Sequence, residues 1–448
     1  MRLNLHPECK KGIIKILSEQ LPNVRVRNKV FIEIESAYGL SNTAEKSLPQ
    51  NIKNQLEQQY IGEIPLFNFI YETLSRKLYE TQKYNPEIPS IKLTEIKGYQ
   101  DPTAVATRLV KSFDSLPWEY FLTIKFKNDF GELFCGTIKQ YSFCDSIRLT
   151  TAGQDLKDNF PLKSGIEARD RSLSSGRLDL TRSLPPPKPQ EWEENATYFQ
   201  VRVSGFIGGY GGTVPVEEAV STLKSFCGLS IALRLLKVNY RYKTTPSKSK
   251  FFIHRNIKDK WVIEGIHKLE ASTSETFNDL VLHDVNGPLD TEEKKVQRIR
   301  RRLDLIKYVF SNKEKAKKIL SAGRWLFDSY CGKNELLSFV QTTVVLEILL
   351  GEKSMSDVMG LGELLRNRCA YLIGKSHKER EKILSDFKKI YDIRSKIVHR
   401  GKDRLNFEER FLFSNLQWMC RRVIQEEVNL LFKDIENLHN NEVNTNGK

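Results

Sequence analysis

The spacing of hydrophobic residues changes near residue 288. Beyond it, apolar positions recur at intervals of three and four, the period of an amphipathic helix. This pattern predicts helices at about 291–310, 313–330, 334–350, 357–374, 377–400 and 407–438. The final residues, 441–448, are polar and predict a disordered tail. We therefore expect an all-α bundle over 289–440.

Before residue 288 the pattern mixes helical and strand-like periods. Residues 67–79 have helical periodicity, and 184–190 (LPPPKPQ) predict an exposed loop. Strand-like segments lie at 120–126, 133–138 and 198–207. The region divides into a mixed α/β part at 1–115 and a β-rich α+β part at 116–288. The expected fold class is thus an α+β N-terminal region followed by an all-α C-terminal helical bundle.

Composition places the chain among globular proteins. Its 448 residues are 40% hydrophobic and 10% aromatic, which excludes wholesale disorder. The opening MRLNLHPECKKG lacks the apolar run of a signal peptide, and the most apolar stretch, 336–350, is too short to span a bilayer. The seven cysteines are scattered without a CxxC pair. We expect a cytoplasmic protein that has no membrane contact and binds no metal or other cofactor.

The net charge of +15 is unevenly distributed. From residue 289 onward there are 32 Lys and Arg against 23 Asp and Glu, a balance of +9. The preceding 288 residues have 39 basic and 33 acidic side chains, a balance of +6. Because more than half of the excess lies in the last third of the chain, a polyanionic partner is expected there.

The helix predicted at 377–400 combines an arginine with a histidine near its C-terminal end. Its stripe at steps of three and four, 384, 387, 391, 394 and 398, has Arg394 where an apolar residue is expected. A desolvated guanidinium needs a carboxylate, an interface or a bound phosphate. His399 follows in the last turn, and Gly401 suits the residue that ends the helix.

This pair fits metal-independent RNA cleavage. A histidine can accept the proton of a 2′-hydroxyl or donate one to the leaving 5′-oxygen, and an arginine can stabilise the phosphate charge. However, five residues turn about 140° on a helix, so the two side chains do not share one face. A capping histidine after a salt-bridged arginine gives the same pattern, and the spacing alone leaves both interpretations open.

The surrounding sequence resembles the HEPN superfamily, most closely its Apea-like branch. The resemblance lies in AKKILSAGRWLFDSY, LLSFVQTTVVLEILLG and LGELLRNRCAYLIGKSHKEREKILSDFKKIYDIRSKIVHRG. It implies a dimerising all-α bundle that brings two R-x4-6-H motifs into one cleft. It also implies endoribonuclease activity of a toxin or anti-phage type, with Arg394 and His399 catalytic. Ser395 occupies the family's polar position after the arginine, where Asn, Asp or His is more typical.

Other charged residues support this interpretation. Glu347 lies on a stripe with Leu336, Val340, Thr343 and Leu350, so it is expected inward, where it could orient Arg394 or neutralise Arg394 or Arg368. Further basic side chains are candidate RNA-binding residues, either a solvated helix face or an RNA platform beside the active cleft. They are Lys396, Arg400, Lys294, Arg298, Arg301 and Arg302.

Two functions of different classes follow. The first is an endoribonuclease effector of an abortive-infection type, which forms a homodimer, leaves a 2′,3′-cyclic phosphate and is controlled by an N-terminal region that binds a phage-derived or other trigger. The alternative is a non-catalytic HEPN module for dimerisation and nucleic-acid or nucleotide binding, in which Arg394 holds a phosphate or a salt bridge and His399 caps a helix.

Overall fold

The computed structural model describes residues 2–59, 65–126, 140–162, 191–194, 196–208, 214–239, 249–283, 291–351 and 360–445. Strands and helices are mixed up to residue 283, and the described residues beyond it form helices without strands. The predicted order of a mixed region before a helical region is therefore confirmed. The predicted segments 133–138 and 184–190 lie outside the described residues.

The first 116 residues form a unit with its own hydrophobic core. Its helices are α1 (Pro7–Gln20), α2 (Ile34–Ala37), α3 (Gly39–Lys46), α4 (Gln50–Gln59), α5 (Pro65–Thr81) and α6 (Pro102–Asp114). Its strands β1 (Arg25–Arg27), β2 (Phe31–Ile32) and β3 (Ile91–Lys92) pair in the order β2-β1-β3. Asp101 caps α6 through the amides of Thr103 and Ala104, and Pro102 fits the first helical position.

A six-stranded antiparallel sheet fills the middle of the chain. Its strands are β4 (Trp118–Lys125), β5 (Gln140–Cys144), β6 (Ile147–Thr151), β7 (Thr197–Gly205), β9 (Lys250–Ile257) and β10 (Lys260–Lys268), in the order β10-β9-β4-β7-β6-β5. Two short strands, β8 (Leu236–Val238) and β11 (Leu280–Leu282), pair separately. The helices of this part are α7 (Gln154–Asn159), α8 (Val214–Ala232) and α9 (Ala271–Asn278).

Alternation along the strands gives the sheet two buried faces. On β4, Tyr120, Leu122 and Ile124 point into the core that contains α8, whereas Phe121 joins a smaller aromatic cluster with Trp192 on the opposite face. Because both faces are covered, these strands are apolar along most of their length rather than every second residue.

The described residues of the C-terminal region, 291–351 and 360–445, form six helices. They are α10 (Glu292–Ser311), α11 (Lys317–Asp328), α12 (Glu335–Leu350), α13 (Leu361–Ile373), α14 (His377–Arg400) and α15 (Phe407–Thr445). All six predicted helices are thus present within a few residues of their predicted bounds. Helix α15 continues to Thr445, so residues 441–445 are helical where the sequence predicted a disordered tail. No helix breaker precedes Gly447 in this polar stretch.

The sheet and the C-terminal helices share one hydrophobic core, which runs from Tyr120 to Val428. Its junction is the packing of α8 against α11, where Gly228 and Gly323 bring the two backbones together. A Cβ on Gly228 would lie 1.7 Å from the Gly323 carbonyl oxygen. Beside them, the Ser225 hydroxyl donates to the Leu320 carbonyl at 2.9 Å. The core is therefore continuous across residue 288, where the sequence pattern changes.

Candidate active site at the end of a C-terminal helix

Helix α14 has clear start and stop signals. The Ser376 hydroxyl accepts from the Glu379 amide at 3.3 Å, and Glu379 accepts from the Lys375 amide at 2.9 Å. At the other end, Gly401 adopts the left-handed conformation, with φ 62°, and its amide donates to the Lys396 carbonyl. The predicted role of Gly401 is confirmed, and it fixes His399 in the last helical turn.

Arg394 lies at the margin of the buried face of α14. The residues that α14 buries are Ile383, Phe387, Ile390 and Ile393. Arg394 is half-buried, and Val398, which the predicted stripe placed inward, is 48% exposed. The predicted stripe is therefore wrong at its C-terminal end. Its steps of seven (384, 391, 398) lag behind the 3.6-residue turn, so the stripe drifts toward solvent.

A three-residue cluster joins α14 to α12. Arg394 Nε lies 3.0 Å from Glu347 Oε1, and the Tyr391 hydroxyl donates to the same carboxylate oxygen at 3.0 Å. The Arg394 guanidinium also lies 5.6 Å from the centre of the Tyr391 ring. Burial and the neighbouring Glu347 carboxylate raise the pKa of Tyr391, so its hydroxyl stays protonated and donates.

Glu347 therefore contacts Arg394, one of the two partners that the sequence allowed. The other, Arg368, donates to the Leu350 carbonyl at 2.9 Å. Tyr391 is the member of this cluster that the sequence reasoning did not single out. The sequence feature that could have identified Tyr391 is its position on the helix stripe, one turn before Arg394. A half-buried tyrosine hydroxyl there requires a hydrogen-bond partner.

His399 and its neighbours are more accessible. Ser395, Lys396, His399 and Arg400 are all exposed. Five residues on a helix correspond to a rise of about 7.5 Å and a turn of about 140°, so His399 points away from the Arg394–Glu347 pair. Within one chain, the structure thus places Arg394 and His399 on the same helix end but on different sides of it.

The start of α15 lies beside this helix end. The Asn406 side chain accepts from the Glu409 amide at 2.9 Å while Glu409 accepts from the Asn406 amide at 2.8 Å, a reciprocal cap. Lys402 lies 3.0 Å from Glu409. Burial alone would raise the pKa of Glu409, but the Asn406 amide and Lys402 outweigh burial and lower it. This carboxylate therefore anchors the segment that follows His399.

Large apolar side chains are exposed at the same end of the helical region. Phe407 is 86% exposed, and Phe411 one turn later is also exposed, as are Val398 and Leu337. Arg410 pairs with Glu335 at 3.1 Å, which places the start of α15 next to the start of α12. Solvent-exposed aromatic side chains in such number mark interaction surfaces.

The remaining predicted RNA-binding residues lie elsewhere. Lys294, Arg298, Arg301 and Arg302 are on α10, whose Tyr308 packs against Phe432 of α15 with ring centroids 4.9 Å apart. Arg298, Arg301 and Arg302 line a cleft with Gln425 and Asn429 of α15. From Glu409, which is level with the end of α14, to Gln425 the helix rises about 24 Å. Within one chain this face therefore lies well along α15 from the end of α14, and its role as an RNA platform stays a prediction.

Across the described ranges, no three His, Cys, Asp or Glu side chains gather as a metal site requires. None of the described helices combines the length and apolar composition needed to cross a bilayer. No protein-family model matches the chain, and no significant match was found among curated proteins or solved structures.

Proposed function

We propose that this protein is a metal-independent endoribonuclease of the HEPN type. Arg394 and His399 are its catalytic pair, and its middle and N-terminal regions regulate it. The observation that carries the proposal is the position of the pair at a solvent-accessible helix end, with His399 exposed and Arg394 reachable beside Glu347. The toxin or anti-phage role, the phage-derived trigger and the cytoplasmic location rest on the sequence resemblance alone.

In this reaction a 2′-hydroxyl attacks the adjacent phosphorus and the bond to the 5′-oxygen breaks. His399 accepts the 2′-hydroxyl proton, and a histidine returns a proton to the 5′-oxygen. Arg394 stabilises the negative charge on the phosphate oxygens, while Glu347 and Tyr391 fix the direction of the guanidinium. The products are a 2′,3′-cyclic phosphate and a 5′-hydroxyl.

A second copy of the chain completes the site in this proposal. Because Arg394 and His399 of one chain point about 140° apart, a dimer that faces two helix ends toward each other can place an arginine of one copy near a histidine of the other. The exposed Val398, Phe407 and Phe411 supply apolar surface for such a homodimer at the required end. Lys396 and Arg400 add positive charge for the RNA backbone beside it.

The test is RNA cleavage in EDTA by wild type, Arg394→Ala and His399→Ala. His377→Ala is the matched control, since His377 is also an exposed histidine of α14, at the opposite end. We expect wild type and His377→Ala to cut, leaving cyclic phosphate ends, and each catalytic variant to lose about 10²–10⁴-fold in rate. Equal cutting by all four proteins removes the assigned pair. Cutting that requires an added divalent ion removes the mechanism.

One observation favours the alternative, a non-catalytic module for dimerisation and binding of nucleic acid or nucleotide. Arg394 already has a carboxylate partner in Glu347, as a structural salt bridge requires. That alternative predicts no cleavage by wild type, together with RNA or nucleotide binding that Arg394→Ala leaves within about twofold of wild type. Cleavage by wild type that is lost in His399→Ala excludes it.

A further inference from the structure

A cleft of about 360 Å³ lies between three elements distant from Arg394 and His399. Helix α10 contributes Arg298, Arg301, Arg302 and Leu305, the end of α8 contributes Leu233, and α15 contributes Gln425 and Asn429. Gln425 ties α15 to α8 by donating to the Ala232 carbonyl at 2.6 Å, and Arg302 donates to the Arg234 carbonyl. The cleft walls are thus connected by hydrogen bonds.

Three arginine side chains place positive charge in this cleft. In the part of the chain that the structure describes, neither Arg301 nor Arg302 forms an ion pair. The neighbouring acids are engaged elsewhere: Asp304 accepts from the Tyr141 hydroxyl, and Glu426 pairs with Arg422 at 3.1 Å. Burial, together with the charges of Arg298 and Arg234, lowers the pKa of Arg302. Several guanidinium groups that repel one another are stabilised by a bound polyanion.

The Arg234 backbone lies beside the cleft, because its carbonyl accepts from Arg302. Arg234 follows α8 in the left-handed conformation, with φ 60°, and the next amide, Leu235, donates to the Ser230 carbonyl at 2.8 Å. Glycine is the usual residue in this position because a Cβ is disfavoured there. Here the residue is an arginine, with an exposed side chain whose charge acts on Arg302.

We propose that this cleft binds a small ligand with two adjacent phosphates, such as a nucleoside diphosphate. Arg301 and Arg302 supply two positive charges, which balance a diphosphate better than a single monoanion. Leu233 and Leu305 provide an apolar wall, and the Asn429 side-chain oxygen can accept a hydrogen bond from a base or sugar. The volume falls at the lower end of the range of small-molecule sites, which suits a ligand of this size.

The site is independent of the proposed nuclease activity. It lies about 24 Å along α15 from the end of α14, so its occupation does not require RNA at Arg394. A ligand that contacts α8, α10 and α15 stabilises the packing of α15 against α8. A ligand that binds only the folded state raises the free energy of unfolding.

The experiment is calorimetric titration of the full chain with pyrophosphate and, separately, with ADP. The variant Arg301→Gln removes an exposed charge of the cleft. Its matched control is Arg300→Gln, an exposed arginine of the same helix that faces Tyr141 instead. We expect saturable binding of both probes with one site per chain. Arg301→Gln should raise the Kd about tenfold, and Arg300→Gln should leave it within about twofold.

A third variant separates binding from stability. Arg234→Gly relieves the left-handed backbone, so the unfolding midpoint of the free protein should rise by about 1–3 °C, while the pyrophosphate Kd should rise at least threefold. The proposal is overturned if neither probe binds saturably, or if Arg300→Gln weakens binding as much as Arg301→Gln. It is also overturned if a single-stranded RNA 20-mer, but neither small probe, binds in a way that Arg301→Gln abolishes.

Discussion

The sheet side and the helical end of this protein use the same kinds of ionisable residues in opposite ways. In the sheet, the Glu264 side chain is only 3% exposed and lies 2.7 Å from Arg255 and 3.1 Å from Arg76 of α5. At the helical end, Glu347 and Arg394 form a comparable pair that is 20% and 25% exposed. The histidines differ in the same way, since His254 is fully buried and His399 is exposed.

The two charged clusters differ in how far solvent reaches them. Glu264 joins the N-terminal unit to the sheet through Arg76. The Arg255 guanidinium also lies over the Trp118 ring, 4.1 Å from its centre. A buried charge of this type must be paired for the fold to persist, and solvent cannot substitute for its partner. Glu347 and Arg394 are only partly exposed, so water can replace a part of what each loses if the pair is broken. The sheet-side cluster is therefore closed to solvent, whereas the cluster at the helical end lies at the solvent margin.

The strongest test of this contrast is Glu264→Gln. The amide preserves the shape of the side chain but leaves Arg76 and Arg255 without a counter-charge in a buried position. We expect a loss of about 3–5 kcal/mol in the free energy of unfolding, measured by urea denaturation. A loss below about 1 kcal/mol would show that solvent reaches this cluster and that it does not anchor the N-terminal unit.

Protonation of His254 gives the next largest effect. Its Nε2 lies 3.2 Å from the Pro161 carbonyl oxygen, so this nitrogen carries the proton of the neutral ring, and Nδ1 has no hydrogen-bond partner among the described residues. Burial lowers the pKa of His254 from 6.5 to about 4, although the carbonyls nearby favour the charged form. The His254 ring therefore becomes protonated below about pH 6.5 in the unfolded state, but only near pH 4 in the folded state.

Stability contributed by neutral His254 is complete above pH 6.5 and declines as the pH falls toward 4. A difference of this size corresponds to about 3 kcal/mol at most. The free energies of unfolding of wild type and His254→Gln, measured from pH 7.5 to 4.5, should differ most near pH 7.5 and become similar near pH 4.5. Parallel curves would show that another group dominates the acid sensitivity.

The sequence predicted the elements better than it predicted their contacts. Helix α14 was predicted at its observed bounds because its apolar spacing and Gly401 are local signals that do not depend on the rest of the chain. The six C-terminal helices followed from apolar spacing in the same way. By contrast, the order β10-β9-β4-β7-β6-β5 pairs strands that are more than 120 residues apart, as in Leu122 with Ile253, and no local pattern records such pairings.

The candidate site shows the same limit. Arg394 and Glu347 were each visible as charges on apolar stripes, but the Tyr391 hydroxyl that completes the cluster depends on how α12 and α14 cross. The cleft on α10 illustrates the limit more strongly. Its basic residues were evident from the sequence, whereas Leu233, Gln425 and Asn429 enter it only through the packing of α8 and α15. Packing also moved this face away from Arg394.

On the helical side, Glu347→Gln should be much milder than Glu264→Gln. The amide oxygen can still accept from the Tyr391 hydroxyl, and the partly exposed Arg394 can turn to water. We expect a loss of about 1 kcal/mol in the free energy of unfolding. A loss equal to that of Glu264→Gln would remove the distinction between the two clusters and would favour a purely structural Arg394.

The smallest effect is expected for His399→Ala. The helix end is already closed by Gly401, whose amide donates to the Lys396 carbonyl, and His399 is exposed, so its removal should change the free energy of unfolding by less than about 0.5 kcal/mol. Gly401→Ala, two residues later, should cost about 1 kcal/mol, because alanine is strained at φ 62°. Denaturation of both variants at pH 7 decides the point. If His399→Ala destabilises as much as Gly401→Ala, the histidine is a cap that maintains the helix. If only the glycine variant loses stability, any loss of RNA cleavage in His399→Ala reports on chemistry at an accessible site.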